Sequence, residues 1–259
     1  MDPSLSIDTF EVVKHTGTDC TGTVIFLHDA GGSGRMLLDR ITSLIGEFSY
    51  PHIEFYFPTA PLMPYTPLEG ELSRVWFDQW NTTPDAPEHD ESFEEMEHHM
   101  KALTEVITYS VPRLSSPWYK TVVGGFGMGG TLALHTAYYF ESSTPDGVFA
   151  LSSYLNDDSK VYDMDEYSLS RVPLYMCHGQ NDEEVPIDWA KKTFDSLKDG
   201  GMKGEFITLK DAGHELVKEE IQGLFKWIEE ILKPLPDENE PMSDECKAHM
   251  AMSYRQLGL

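Results

Sequence analysis

Apolar residues fall into two alternating patterns along the chain. Short runs of β-branched and aromatic residues, bounded by turn formers, recur at FEVV (10–13), TVIFL (23–27), IEFYF (53–57), TVV (121–123), GVFAL (147–151), VPLYM (172–176) and EFITL (205–209). Such runs predict strands, and near-continuous apolar ones predict a sheet buried on both faces. Between several of them lie stretches with helical spacing. From Ser92 to Val111, Phe93, Met96, Met100, Leu103, Val106 and Ile107 recur three and four residues apart, with a Ser92-x-x-Glu95 capping box at the start. From Glu215 to Leu232, Leu216, Ile221, Leu224, Phe225, Ile228 and Ile231 share one side, and Pro234 and Pro236 stop the helix. Buried strands alternating with amphipathic helices predict an α/β fold with a mostly parallel sheet covered on both faces.

Two segments interrupt the alternation. The proline-punctuated stretch from Pro58 to Asp90 contains VWFDQW, and a long irregular excursion inside a compact domain predicts a lid or pocket wall. From Lys233 onward KPLPDENEPMSDECK is polar and acidic. The expectation is one folded domain over residues 1–232 and an acidic, flexible tail over 233–259.

Composition then excludes whole classes of partner. Among 259 residues, 44 Asp and Glu face 19 Lys and Arg, a net charge of −25 that repels nucleic acid and anionic membrane surfaces. The N-terminal MDPSLSIDTFEVV has neither the basic nor the apolar region of a secretion signal, and no apolar run is long enough for an integral membrane segment. Cys20, Cys177 and Cys246 are odd in number and widely separated, which argues against a disulfide framework or a thiolate metal site and points to a reducing, cytoplasmic setting.

The sharpest chemical signal is TVVGGFGMGGTLALHTAYYF (121–140): a strand, a glycine-rich turn, then a helix, the context of the G-x-S-x-G nucleophile elbow. Gly125-Phe126-Gly127-Met128-Gly129 matches both flanking glycines, but Gly127 stands where the nucleophilic serine belongs. A phosphate cradle is disfavoured by the missing G-K-[ST] ending. Past the strand at 172–176 comes CHGQNDEEVP with Asp182, and past the strand at 205–209 comes DAGHE with His214. The order nucleophile, acid, base is that of a hydrolytic triad, with Asp182 orienting His214 as general base and acid. The loop LHDAGGSG (27–34) can supply one oxyanion amide from Ala30, and Met128 at the following helix N-terminus the other. His98 and His99, adjacent on a helix, read as a solvated face, Ser33 as turn chemistry, Ser152 and Ser153 as bonding to the backbone, and Cys177 as core.

Five motifs in order, FLHDAGGSG, YFPTAPLMPYTPLEGELSRVWFDQW, GGFGMGG, GVFALSSYLN and CHGQNDEEVP with DAGHE, resemble the acyl-protein thioesterase and carboxylesterase family of α/β-hydrolases, closest to its lysophospholipase-like subgroup. The resemblance spans about residues 10–233 and implies an α/β-hydrolase fold. It also implies hydrolysis of acyl esters or thioesters through an acyl-enzyme, with acylated proteins or small acyl esters as partners and no cofactor or metal. Leu62, Trp76 and Phe77 of the second motif, with Val185, become candidates for the acyl pocket. Two departures bear on activity. Gly127 cannot form an acyl-enzyme, and losing such a serine costs on the order of a millionfold, about 8 kcal/mol, in a serine protease. Asp29 stands where the family has glycine, with its direction left open by the sequence. Three outcomes stay open: slow hydrolysis by water activated at His214, a non-catalytic acyl-binding protein, or an ordinary thioesterase with an engineered Ser→Gly change.

Overall fold

A computed structural model describes residues 9–18, 20–79, 83, 85, 90–105, 119–139 and 144–234. Among the described residues the central sheet has seven strands: β1 (Phe10–Val13), β2 (Gly22–Leu27), β3 (Ile53–Pro58), β6 (Lys120–Phe126), β7 (Gly147–Leu151), β8 (Leu174–Gly179) and β9 (Gly204–Leu209). Their order across the sheet is β1-β3-β2-β6-β7-β8-β9, parallel except for β1, which pairs antiparallel with β3. A two-stranded antiparallel hairpin, β4 (Leu62–Tyr65) and β5 (Glu71–Arg74), stands apart. The helices are α1 (Gly34–Ile45), α2 (Asp90–Glu105), α3 (Met128–Tyr138), α4 (Glu166–Arg171), α5 (Ile187–Asp199) and α6 (Lys218–Ile231). This is the mostly parallel, helix-covered α/β architecture that the alternation predicts.

Alternation along β2 shows how the sheet divides the core. Val24 and Phe26 point into one apolar cluster with Leu37 and Ile41 of α1 and Ile221, Leu224 and Ile228 of α6. Ile25 and Leu27 point into the other, with Leu132 and Leu134 of α3, Phe194 of α5 and Trp76. Every residue of α3 is buried, so this helix is the central pillar on its face.

Three differences from the sequence reading have physical causes. The strand read as TVV extends to Phe126, because Gly124 and Gly125 keep pairing with both β2 and β7. The segment from Pro58 to Asp90 contains the β4–β5 hairpin, whose short β4 alternates exposed and buried residues in spite of Pro64. His99 is fully buried against Trp76, ring centroids 6.1 Å apart, so α2 turns it to the core and not to solvent. Burial pushes the His99 pKa down to about 4. The predicted helix runs only to Glu105 among the described residues, and the side chain of Ser92 and residues 235–259 of the predicted tail lie outside them.

Candidate functional site

The strands carry their loops to one edge of the sheet, where ligands collect in open α/β folds. At the β6–α3 turn, Gly127 has φ 55 and ψ −123, strained backbone that glycine adopts most easily. The turn is tight: a Cβ on Gly125 would lie 2.3 Å from the carbonyl carbon of Gly129, and one on Gly129 2.5 Å from the Leu27 oxygen. The Gly127 N–H donates to the Leu151 carbonyl at 2.9 Å, and the Ser153 hydroxyl donates to the Gly127 carbonyl at 2.9 Å. Ser153 thus bonds the backbone, as its position suggests, while Ser33 caps α1 by accepting from the Met36 N–H at 3.2 Å. Cys177 is core.

Asp182 follows β8 and His214 follows β9. Asp182 Oδ2 accepts from His214 Nδ1 at 2.8 Å, and Oδ1 accepts the backbone N–H groups of Glu184 at 3.0 Å and Val185 at 2.8 Å. The carboxylate is fully buried. Beneath it His178 Nε2 donates to the Val185 carbonyl at 2.7 Å, which fixes the turn bearing those two amides. With Nδ1 so held, the imidazole of His214 leans on Phe126 and turns Nε2 toward the cavity.

On that side lies the residue whose direction the sequence left open. Asp29 points inward. Its Oδ2 lies 3.2 Å from His214 Nε2 and its Oδ1 accepts the Met128 backbone N–H at 2.7 Å. A Cβ built on Gly127 would fall 2.1 Å from Asp29 Oδ1 and 2.3 Å from its Cγ. The Asp29 carboxylate therefore fills the space of a side chain at residue 127.

The loop after β2 is locked in this posture. His28 Nδ1 donates to the Asp29 carbonyl at 2.6 Å while Nε2 accepts from the Ala60 N–H at 3.0 Å. The Trp76 indole donates to the His28 carbonyl at 2.8 Å and its ring packs on the imidazole, centroids 5.0 Å apart. Arg74 ties the hairpin in: its carbonyl accepts from Gly31, and its Nη1 donates to the Ala60 carbonyl at 3.1 Å. The Trp76 N–H meets Met128 Sδ at 3.3 Å.

Two carboxylates now face one imidazole. Burial works to lower the His214 pKa, but hydrogen bonds and charge from Asp29 and Asp182 outweigh it and raise the value to about 9. That rise favours the protonated imidazole at neutral pH.

A cavity of about 330 Å³ opens over the site, lined by Asp29, Ala30, Gly127, Met128 and His214 with Tyr65, Gln79 and Tyr154 on the wall, and by Val185. A second, more open one of about 360 Å³ meets Asp29 and carries Met36, Leu37, Phe126 and Leu216. Of the pocket residues expected from sequence, Val185 lines the first cavity. Leu62 is half exposed on β4, and Trp76 and Phe77 are buried in the core, where Trp76 braces the Asp29 loop from behind. The wall is instead built by Tyr65, Gln79 and Tyr154. All three fall inside the motif stretches, Tyr65 and Gln79 in the expected pocket wall and Tyr154 after β7, but nothing in those motifs singles out these side chains over Leu62, Trp76 or Phe77.

One further cluster could hold a metal ion: His15, Cys20 and Glu54 place donor atoms within 4.8 Å of one another beside the opposite ends of β2 and β3. There Glu54 is already engaged by His15 Nδ1 at 2.7 Å, Lys14 Nζ at 3.4 Å and the Tyr56 hydroxyl at 2.9 Å, so its charge is matched without a metal ion.

Comparison with known proteins extends these observations. Residues 8–232 match the family model described as Phospholipase/Carboxylesterase. The chain is 38% identical to lysophospholipase-like protein 1 of Mus musculus, over 90% of this chain and 95% of that protein. It is 32% identical to acyl-protein thioesterase 1 homolog 1 of Dictyostelium discoideum, over 83% and 92%. The crystal structure of Zea mays acyl-protein thioesterase 2 superposes with a TM-score of 0.71 at 26% identity, covering 86% of this chain and 99% of that one. With the fold, the order of the motifs and this match over nearly all described residues in agreement, the chain belongs to the phospholipase/carboxylesterase family of α/β-hydrolases.

Proposed function

We propose that this protein binds acyl groups in the cavity of a thioesterase-type site whose serine route is closed, and that it does not turn them over through an acyl-enzyme at residue 127. The observation that supports this most is the Asp29 carboxylate, seated where a side chain at residue 127 would lie and hydrogen-bonded to the Met128 amide. That amide is one of the two donors an acyl-transfer oxyanion would need, the other being Ala30. A carboxylate there resembles the acid product of hydrolysis, tethered in place. Asp182 and His214 remain as the acid and base of the family arrangement.

Slow hydrolysis by water activated at His214 is disfavoured, since a histidine with its pKa raised to about 9 holds its proton at neutral pH and cannot accept another. An isolated engineered Ser→Gly change is disfavoured as well. Asp29 and Gly127 fit one another, and a serine at 127 would collide with the aspartate already present. The names of the relatives suggest acylated proteins as ligands. The net charge of −25 favours neutral or cationic ones, and the cytoplasm is the compartment consistent with this reading. Among the described residues no helix is long and apolar enough to cross a membrane.

The test compares four proteins: the natural chain, Gly127→Ser, Asp29→Gly, and Asp29→Gly with Gly127→Ser. Thioester hydrolysis and labelling by a serine-directed phosphonate are expected in the double variant alone, while the natural chain binds a fluorescent acyl probe. Labelling of Gly127→Ser by itself would show that Asp29 does not block the site, and absence of acyl binding would sink the binding role.

A further inference from the structure

Asp29 does more than obstruct. One oxygen rests on a backbone N–H donor, the other faces an imidazole backed by a buried carboxylate, and the residue lies in the lining of two cavities. We propose that Asp29 is a carboxylate nucleophile for an electrophilic sp3 carbon, and that the substrate class is an epoxide carried on an apolar chain. The inference rests on the reading that the acyl-enzyme route at residue 127 is closed.

Carboxylates act as covalent nucleophiles when held beside a base that can later activate water. The position of Oδ1 selects the kind of electrophile. Attack on a substrate acyl carbon would place an oxyanion on the substrate, yet the Met128 N–H that should receive it already binds Asp29. Attack on an sp3 carbon makes an ester of Asp29 itself. The oxyanion then forms in the second step, on Oδ1, where the donor is already in position.

The steps balance. Asp29 Oδ2 attacks a ring carbon, the carbon–oxygen bond breaks, and the ring oxygen takes a proton from Tyr154, giving a hydroxyalkyl ester and a tyrosinate. Tyr154 shares the first cavity with Asp29 and His214, and its oxygen accepts from Gln79 at 3.5 Å, leaving its own proton to donate. Ester formation removes the Asp29 charge that helped raise the His214 pKa, so His214 gives up its proton, which restores Tyr154. Neutral His214 then takes a proton from water as the hydroxide equivalent adds to Asp29 Cγ. Collapse expels the alkoxide, which is protonated by His214, and the new acid on Asp29 returns its proton to the imidazole. The net reaction is epoxide plus water giving a vicinal diol. The apolar groove of Met36, Leu37, Phe126 and Leu216, reaching Asp29 from the other cavity, suits an alkyl chain.

Decene oxide, a neutral alkyl epoxide, is the probe. The natural protein is expected to form the diol, and Asp29→Asn, nearly the same shape, to lose that activity at least roughly a hundredfold. His214→Gln is expected to stall as an ester, seen by mass spectrometry as one added epoxide on the peptide bearing Asp29. A single turnover of the natural protein in water enriched in the heavy oxygen isotope should place the label in Asp29 and not in the diol. This arm needs no variant, so misfolding cannot mimic it. Label entering the diol directly, an adduct on another residue, or no diol from the natural protein would each overturn the assignment. The thioester and phosphonate comparison reads closure of the serine route separately, so failure of that reading is distinguishable from failure of the nucleophile assignment.

Discussion

His214 is gripped from two sides, and the two grips are built differently. On the Nδ1 side Asp182 is fully buried and bonded to amides two and three residues further along its own turn. On the Nε2 side Asp29 is about 29% exposed, and its amide partner, Met128, lies 99 residues away in sequence. On the Asp182 side the supporting amides are local, within three residues of the carboxylate. The Asp29 side exists only because the β2 loop, the β4–β5 hairpin and the β6–α3 turn converge. A carboxylate that a motif alone would label a defect becomes, in that setting, the partner of the missing side chain.

The largest effect expected from breaking this pairing is on rate. In the Asp29→Gly, Gly127→Ser protein, His214→Ala should erase the gained thioester hydrolysis by on the order of 10⁴-fold or more, measured by thiol release. Stability should separate the two carboxylates next. Asp182→Ala strips a buried charged partner and should cost about 3–5 kcal/mol in urea unfolding, whereas Asp29→Asn should cost about 1 kcal/mol, because its site is wetter and keeps a hydrogen-bonding side chain.

The pH dependence gives a third test. His214 has a folded pKa of about 9, above its unfolded value, so its stabilisation is fully present below pH ~6.5 and is lost as pH rises through about 9. The swing is on the order of 3 kcal/mol. Glu220, raised to about 8 chiefly by burial, contributes a decline in the same sense at lower pH, between ~4.5 and 8. Asp29→Asn should flatten the portion between pH ~6.5 and 9 and leave the Glu220 portion below it, as read by unfolding at a series of pH values. A persistent alkaline decline in that variant would assign the effect to Asp182 alone. The smallest effect tests the scaffold: Arg74→Met, which removes the bond to the Ala60 carbonyl, should cost about 1 kcal/mol and lower the His214 pKa seen by NMR titration as the Asp29 loop loosens.

Much of the fold was legible because strand and helix periodicities are local. The seven strand runs of the sheet, the helix after the glycine turn and the final helix all appear near their expected bounds, since apolar alternation is enforced wherever a sheet is buried on both faces. The hairpin was not legible. β4 and β5 are four residues each and one holds a proline, so neither run carries the apolar, β-branched pattern that marks a strand. His99 misled for a related reason, since neighbouring histidines on a polar helix say nothing of the Trp76 packed against one of them.

The sequence by itself determined the α/β class, the order of the motifs, the residues Asp182 and His214 and the glycine at the elbow, because each is written in a few contiguous residues. Tertiary structure decided what those residues do to one another. It turned Asp29 inward, took the Met128 amide, filled the space beside Gly127 and raised the His214 proton affinity. All of these are Coulombic and steric effects between groups far apart in the chain, and no local pattern encodes a distance of 2.7 Å between Asp29 and Met128.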